Sequence, residues 1–154
     1  MIAHSMGSII AYDVLRDLGR VNSGFEVAHF VTIGFPLGLP HVKVKIMEGK
    51  SYDKKFSHRV HTPFIVSQYW THFADRLDPV TLDSPLFDDY SKNGQGIRVK
   101  DGLVLKDYRK PKTGNSGATE GERDPEGKHN HHKSYGYLRT PELSELVKEF
   151  IEGK

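Results

Sequence analysis

The fold is decided by the first nineteen residues, MIAHSMGSIIAYDVLRDLG (residues 1–19). Met1 to Ala3 is apolar, His4-Ser5-Met6-Gly7 follows at once, and Ile9, Ile10, Val14, Leu15 and Leu18 then recur at helical spacing up to Gly19. This pattern predicts the end of a strand, a tight turn, and a helix with Gly19 at its C-terminal cap. Ser5 lies in the turn, with Ala3 two residues before it and Gly7 two residues after. Small residues at those two places let strand and helix backbones approach closely while the serine between them is lifted onto a strained turn. The plainer reading of Ser5 is an N-cap for the helix, the commonest use of a serine there; the flanking small residues favour an exposed nucleophile.

Working outward, FEVAHFVTIGF (25–35) is rich in β-branched and aromatic residues and ends among Gly34, Pro36 and Gly38, as a buried strand opening into a turn does. A second apolar run, FIVSQYWTHF (64–73), leads into ADRLDPV, where the Asp78-Pro79 step favours a turn that presents a carboxylate at a strand end. In IRVKDGLVLKDY (97–108), Asp101-Gly102 reads as the two positive-φ residues of a type I′ hairpin. The chain closes with Thr140 as N-cap, Pro141 in the first turn, and Leu143, Leu146, Val147, Phe150 and Ile151 on one face of an amphipathic helix. Between these elements, Leu39 to Pro63 is polar and basic and sustains neither period, so it reads as a surface excursion. Lys110 to Lys128 is Gly, Pro and charge, and reads as a mobile loop.

Length and composition narrow the function classes. The 154 residues fit one domain or part of one, and 36% hydrophobic content is enough for a core. A net charge of +2 falls short of the concentrated basic face that binding nucleic acid requires. No stretch approaches the roughly 20 apolar residues of a membrane span. With no cysteine, disulfides, a thiol nucleophile and thiolate metal sites are excluded. The compartment stays open; the lack of Cys and of a signal-peptide pattern leans slightly toward the cytoplasm.

The strand, the small-X-Ser-X-Gly turn Ala3-His4-Ser5-Met6-Gly7 and the helix together resemble the α/β-hydrolase superfamily, specifically its lipase- and esterase-like members, whose turn commonly reads G-H-S-M-G. Here Ala3 stands in place of the first Gly. In that superfamily the triad runs serine, acid, histidine along the chain. WTHFADRLDPV from Trp70 is similar to its acid-bearing segment, which implies Asp78 as the acid with Asp75 as the alternative. HKSYGYL from His132 is similar to its histidine loop, which implies His132 as the base with His131 as the alternative. The resemblance further implies one oxyanion donor at the backbone N–H of Met6, no residue assignable as the second, and no metal or organic cofactor. The implied reaction is hydrolysis of a small-molecule acyl ester through an acyl-serine.

Because the resemblance begins at the serine turn, it implies the C-terminal half of an α/β-hydrolase fold over residues 1–154, an α/β arrangement with a mostly parallel sheet flanked by helices and a β-hairpin extension. Such a half is expected to expose a sheet edge, to pair there with an N-terminal half or with copies of itself, and to show little activity alone. The rival expectation is a non-catalytic, hydrolase-like module acting in protein interaction. Three further readings accompany these. His4 is expected to pack rather than transfer protons. Lys43, Lys45, Lys50, Lys54 and Lys55 are expected to stay solvated, in a segment placed where a lid would sit. His129, His131 and His132 admit a metal reading, disfavoured because adjacent imidazoles seldom converge on one ion.

Overall fold

The structure, a computed structural model, describes residues 1–21, 24–48, 60–81, 85–104 and 131–153. The elements in chain order are β1 (Ile2–His4), α1 (Met6–Val21), β2 (Val27–Ile33), α2 (Pro40–Glu48), β3 (Val60–His61), β4 (Val66–Asp75), a 3-10 turn (Pro79–Thr81), β5 (Tyr90–Ser91), β6 (Val99–Val104), α3 (Ser134–Leu138) and α4 (Pro141–Glu152). The main sheet has the order β1-β2-β4-β6, and every pair in it is parallel. Strands β3 and β5 form a short parallel pair apart from it. Parallel neighbours need crossover connections that lay helices over the faces of the sheet, so the strands between them are apolar on both sides.

That demand explains the unbroken hydrophobic run of β2. Successive side chains alternate between faces: Phe30 joins Trp70, with Tyr12 and Leu15 of α1 and Val42 and Ile46 of α2, on one side. Val31 and Ile33 join Phe73, Tyr137 and Leu143 on the other, under α3 and α4. The chain is thus an α/β arrangement, a parallel sheet with helices on both faces. Among the described residues, no helix is long and apolar enough to cross a membrane.

Three expectations are corrected. Asp101-Gly102 is no hairpin turn: both residues lie inside β6, paired in parallel with His72 and Phe73 of β4. The Asp101 carboxylate accepts the N–H groups of Leu86 and Phe87 at 3.0 and 2.9 Å. A Cβ on Gly102 would stand 2.7 Å from the Phe73 ring, so this glycine admits an aromatic neighbour instead of bending the chain. Residues 105–108 of the expected hairpin lie outside the described residues.

Residues 40–48 of the expected surface excursion form α2, because Val42 and Ile46, four residues apart, both face the core. Lys43 there pairs with Asp89 at 2.6 Å; Lys50, Lys54 and Lys55, and the expected loop from Lys110 to Lys128, lie outside the described residues. Finally, α1 runs past Gly19 to Val21. A Cβ on Gly19 would meet Ile65 Cγ2 at 2.9 Å, so the glycine serves a close approach rather than a cap.

A polar chain crosses the larger core cluster. The Trp70 indole N–H donates to Thr32 Oγ1 at 3.1 Å, and the Thr32 hydroxyl lies 3.0 Å from His72 Nδ1. Burial depresses the His72 pKa to about 4. The unfolded chain titrates this group near pH 6.5 and so binds the proton that the folded chain refuses. Stability from this group is therefore full above pH 6.5 and falls as pH drops toward 4, by about 3 kcal/mol in all. Denaturant melts at pH 7.5 and 4.5 are expected to show this loss in the parent and a loss smaller by about that amount in His72→Leu; equal losses would place the acid sensitivity elsewhere.

Candidate active site

Ser5 follows β1 directly and has φ +52, the one positive φ outside glycine among the described residues. A non-glycine residue there carries a backbone strain of about 1–2 kcal/mol. Neighbouring hydrogen bonds hold the turn: Ser5 N–H donates to the carbonyl of Ile33, the last residue of β2, at 3.1 Å, and Ser8 N–H donates to the Ser5 carbonyl at 2.9 Å. The hydroxyl does not cap α1. It points to His132, with Oγ 2.7 Å from Nε2. Helix α1 starts at Met6, whose N–H has no acceptor within the helix and stands beside the serine.

The nearest carboxylate to His132 comes from beyond the far end of β4. Asp78 opens the 3-10 turn, with Val80 N–H donating to its Oδ1 at 2.8 Å, and it is 1% exposed. His132 Nδ1 lies 2.9 Å from Asp78 Oδ2 and 3.1 Å from Oδ1. A carboxylate only accepts, so Nδ1 carries the proton and Nε2 is left to accept from Ser5. Tyr137 of α3, itself 1% exposed, donates its hydroxyl to Asp78 Oδ2 at 2.7 Å and accepts the Asp75 N–H at 3.1 Å. Burial, and then the bond to Asp78, raise the Tyr137 pKa well above the ordinary phenol range, which keeps the phenol a donor. The histidine side chain is a quarter exposed while the Asp78 side chain is sealed, so the triplet runs from a buried carboxylate to a reachable serine.

Asp75 and His131 form a second pair, with Nδ1 3.1 Å from Asp75 Oδ2. The two adjacent histidines thus address two different carboxylates; His129 lies outside the described residues. His4, expected only to pack, does more. Its Nε2–H donates to the His132 carbonyl at 2.7 Å, and its ring sits 4.9 Å from the His132 ring. Burial lowers its pKa, consistent with a neutral ring donating to a carbonyl.

Gly34, at the exit of β2, has φ +56, and a Cβ there would meet the Tyr137 ring at 2.8 Å and Asp78 Oδ2 at 3.1 Å. The sequence pattern gave no role to Tyr137 or Gly34 at the site. A buried tyrosine reads as core, and a glycine after a strand reads as a turn. In comparisons with protein-family models, curated proteins and solved structures, nothing matches this chain.

Removing the Tyr137 hydroxyl leaves a sealed carboxylate short of one donor, which costs about 1–3 kcal/mol. Chemical denaturation of Tyr137→Phe should register that loss without a change in far-UV dichroism. A variant as stable as the parent would mean that Asp78 does not depend on this bond.

Proposed function

We propose that the chain is a serine hydrolase of the α/β-hydrolase type, cleaving a carboxylic ester through an acyl-serine with Ser5 as nucleophile, His132 as base and Asp78 as acid. The observation that carries this reading is the line from Ser5 Oγ to His132 Nε2 at 2.7 Å and from His132 Nδ1 to Asp78 at 2.9 Å, on a serine held at φ +52. A strained backbone is retained where its surroundings enforce it, and such strain gathers at working sites. The chain order serine, acid, histidine on a parallel sheet adds support.

In the acylation step Ser5 Oγ bonds to the ester carbonyl carbon as its proton passes to His132 Nε2. The negative charge on the carbonyl oxygen is met by the Met6 N–H at the head of α1. Collapse breaks the bond to the alcohol oxygen, which takes the proton from Nε2 and leaves. Water then adds to the acyl carbon, giving its proton to Nε2. The second collapse breaks the bond to Oγ, returns the proton to Ser5 and releases the acid. Throughout, Asp78 holds the Nδ1 proton and stabilises the imidazolium. In this assignment His131 and Asp75 brace the histidine loop.

A second reading concerns association. Strand β1 pairs only with β2 among the described residues, and Ile2 of β1 and Ile10 and Val14 of the α1 helix that follows it are 44%, 63% and 45% exposed. An open edge with an apolar flank is a template for another strand. We propose that copies of the chain associate there.

A fluorophosphonate probe should label the parent and leave Ser5→Ala unlabelled, with ester turnover lowered at least about 10⁴-fold. His132→Ala is expected to lose labelling and His131→Ala to keep it. Equal turnover of p-nitrophenyl butyrate by Ser5→Ala and the parent would sink the assignment. Sedimentation velocity should show concentration-dependent association that weakens in Ile2→Lys, since an edge lysine opposes pairing; a monomer at every concentration would refute the edge reading.

A further inference from the structure

Beside the serine turn the surface opens into a groove of about 460 Å³ between α1 and α2. Its walls are apolar: Met6 and Ile9 from one face of α1, Leu39 from the loop after β2, and Val42 and Ile46 from α2. Val42 and Ile46 are anchored in the core, so the floor is rigid. Met6 forms the head of the groove and directly follows Ser5. Asp13 and Lys45 stand among its lining at the other end of these helix faces, seven residues along α1 from Met6 and five along α2 from Pro40, and both are exposed.

We propose that this groove is the acyl subsite of the site described above and that it takes a straight, medium-length acyl chain of roughly six to ten carbons, as its volume at the small end of ligand pockets allows. The inference rests on the ester-hydrolase reading. Three features select an alkyl chain over other occupants. The groove is continuous with the residue that would bind the oxyanion, so the carbon chain of an acyl-serine has a path into it. Its walls are predominantly aliphatic, with His41 the polar member of the lining besides Asp13 and Lys45, and they offer mainly hydrocarbon contact. Charged side chains at its far end oppose an apolar chain that runs beyond them, because a methylene passing Asp13 and Lys45 would strip water from charges and gain no partner. A short acyl group leaves the walls wet, and a long one overruns the rim.

The test is a series of p-nitrophenyl esters from acetate to hexadecanoate, below their aggregation limits. Because the groove is half-open, each methylene transfers only part of its surface. The expected kcat/KM rises about twofold per methylene, roughly fiftyfold from acetate to octanoate, and falls again beyond about ten carbons. In Leu39→Trp, which fills the groove, the octanoate-to-acetate ratio should drop at least tenfold. A ratio is independent of the folded fraction, and Ile9→Phe provides a second filling variant.

Direct binding separates this inference from the reading beneath it. Octanoate should bind Ser5→Ala by calorimetry and fail to bind Ser5→Ala/Leu39→Trp. Ester turnover indifferent to chain length, with no octanoate binding, would overturn the groove and leave the hydrolase standing. Octanoate binding lost on Leu39→Trp, with no ester turned over, would keep the groove as an alkyl site and overturn the hydrolase. A ratio unchanged in both filling variants would overturn the acyl subsite.

Discussion

The parallel register of three strands governs everything at the site. His4 of β1 stands level with Ile33 of β2, which stands level with Phe73 of β4. One residue beyond that level lie Ser5 and Gly34, and a short step further lies the 3-10 turn that carries Asp78. Residues far apart in the chain therefore meet at one edge of the sheet. A slip of one residue in either pairing would exchange the faces of β2 and bury the wrong half of its side chains. The two core clusters on opposite faces of the sheet fix that register, and through it they fix the distance from serine to acid.

Sealing a carboxylate beneath the site creates a demand that the neighbouring elements meet. An unpaired buried charge is unstable by several kcal/mol, and Asp78 is satisfied from three directions: the turn after β4, the histidine loop and α3. Tyr137 serves twice, since its hydroxyl also receives the Asp75 N–H. Acid loop and histidine loop are thereby tied to a single phenol. Gly34 gives that phenol its space at the end of the middle strand. His4 completes the enclosure from the side of the serine turn, holding the His132 carbonyl.

Where sequence and structure part, the cause is the ambiguity of small residues. Asp-Gly signals a hairpin because both residues tolerate positive φ. In β6 the same pair has another use, the aspartate bonding two loop amides and the glycine admitting the Phe73 ring. Gly19 repeats the case within α1. The basic stretch from Leu39 to Pro63 reads as a surface excursion because its short apolar islands sustain neither period for long, yet two residues on one face, Val42 and Ile46, suffice to dock a nine-residue helix on an existing core.

The sequence by itself determined the strand, serine turn and helix at its start, the buried character of β2, the apolar run of β4 and the amphipathic end of the chain. These depend on periods and residue sizes within windows of a few residues. The resemblance of two short segments to those of lipase-like hydrolases singled out Asp78, with Asp75 as the alternative, and His132, with His131 as the alternative, as candidates. Only the tertiary structure decided which histidine faces the serine, paired each histidine with its own aspartate, recruited Tyr137, Gly34 and His4 to the site, and opened the groove between α1 and α2. The hydrogen bonds in these cases join residues 54 to 128 positions apart in the chain, and no local pattern records which distant atoms the register of a sheet will bring into hydrogen-bonding reach.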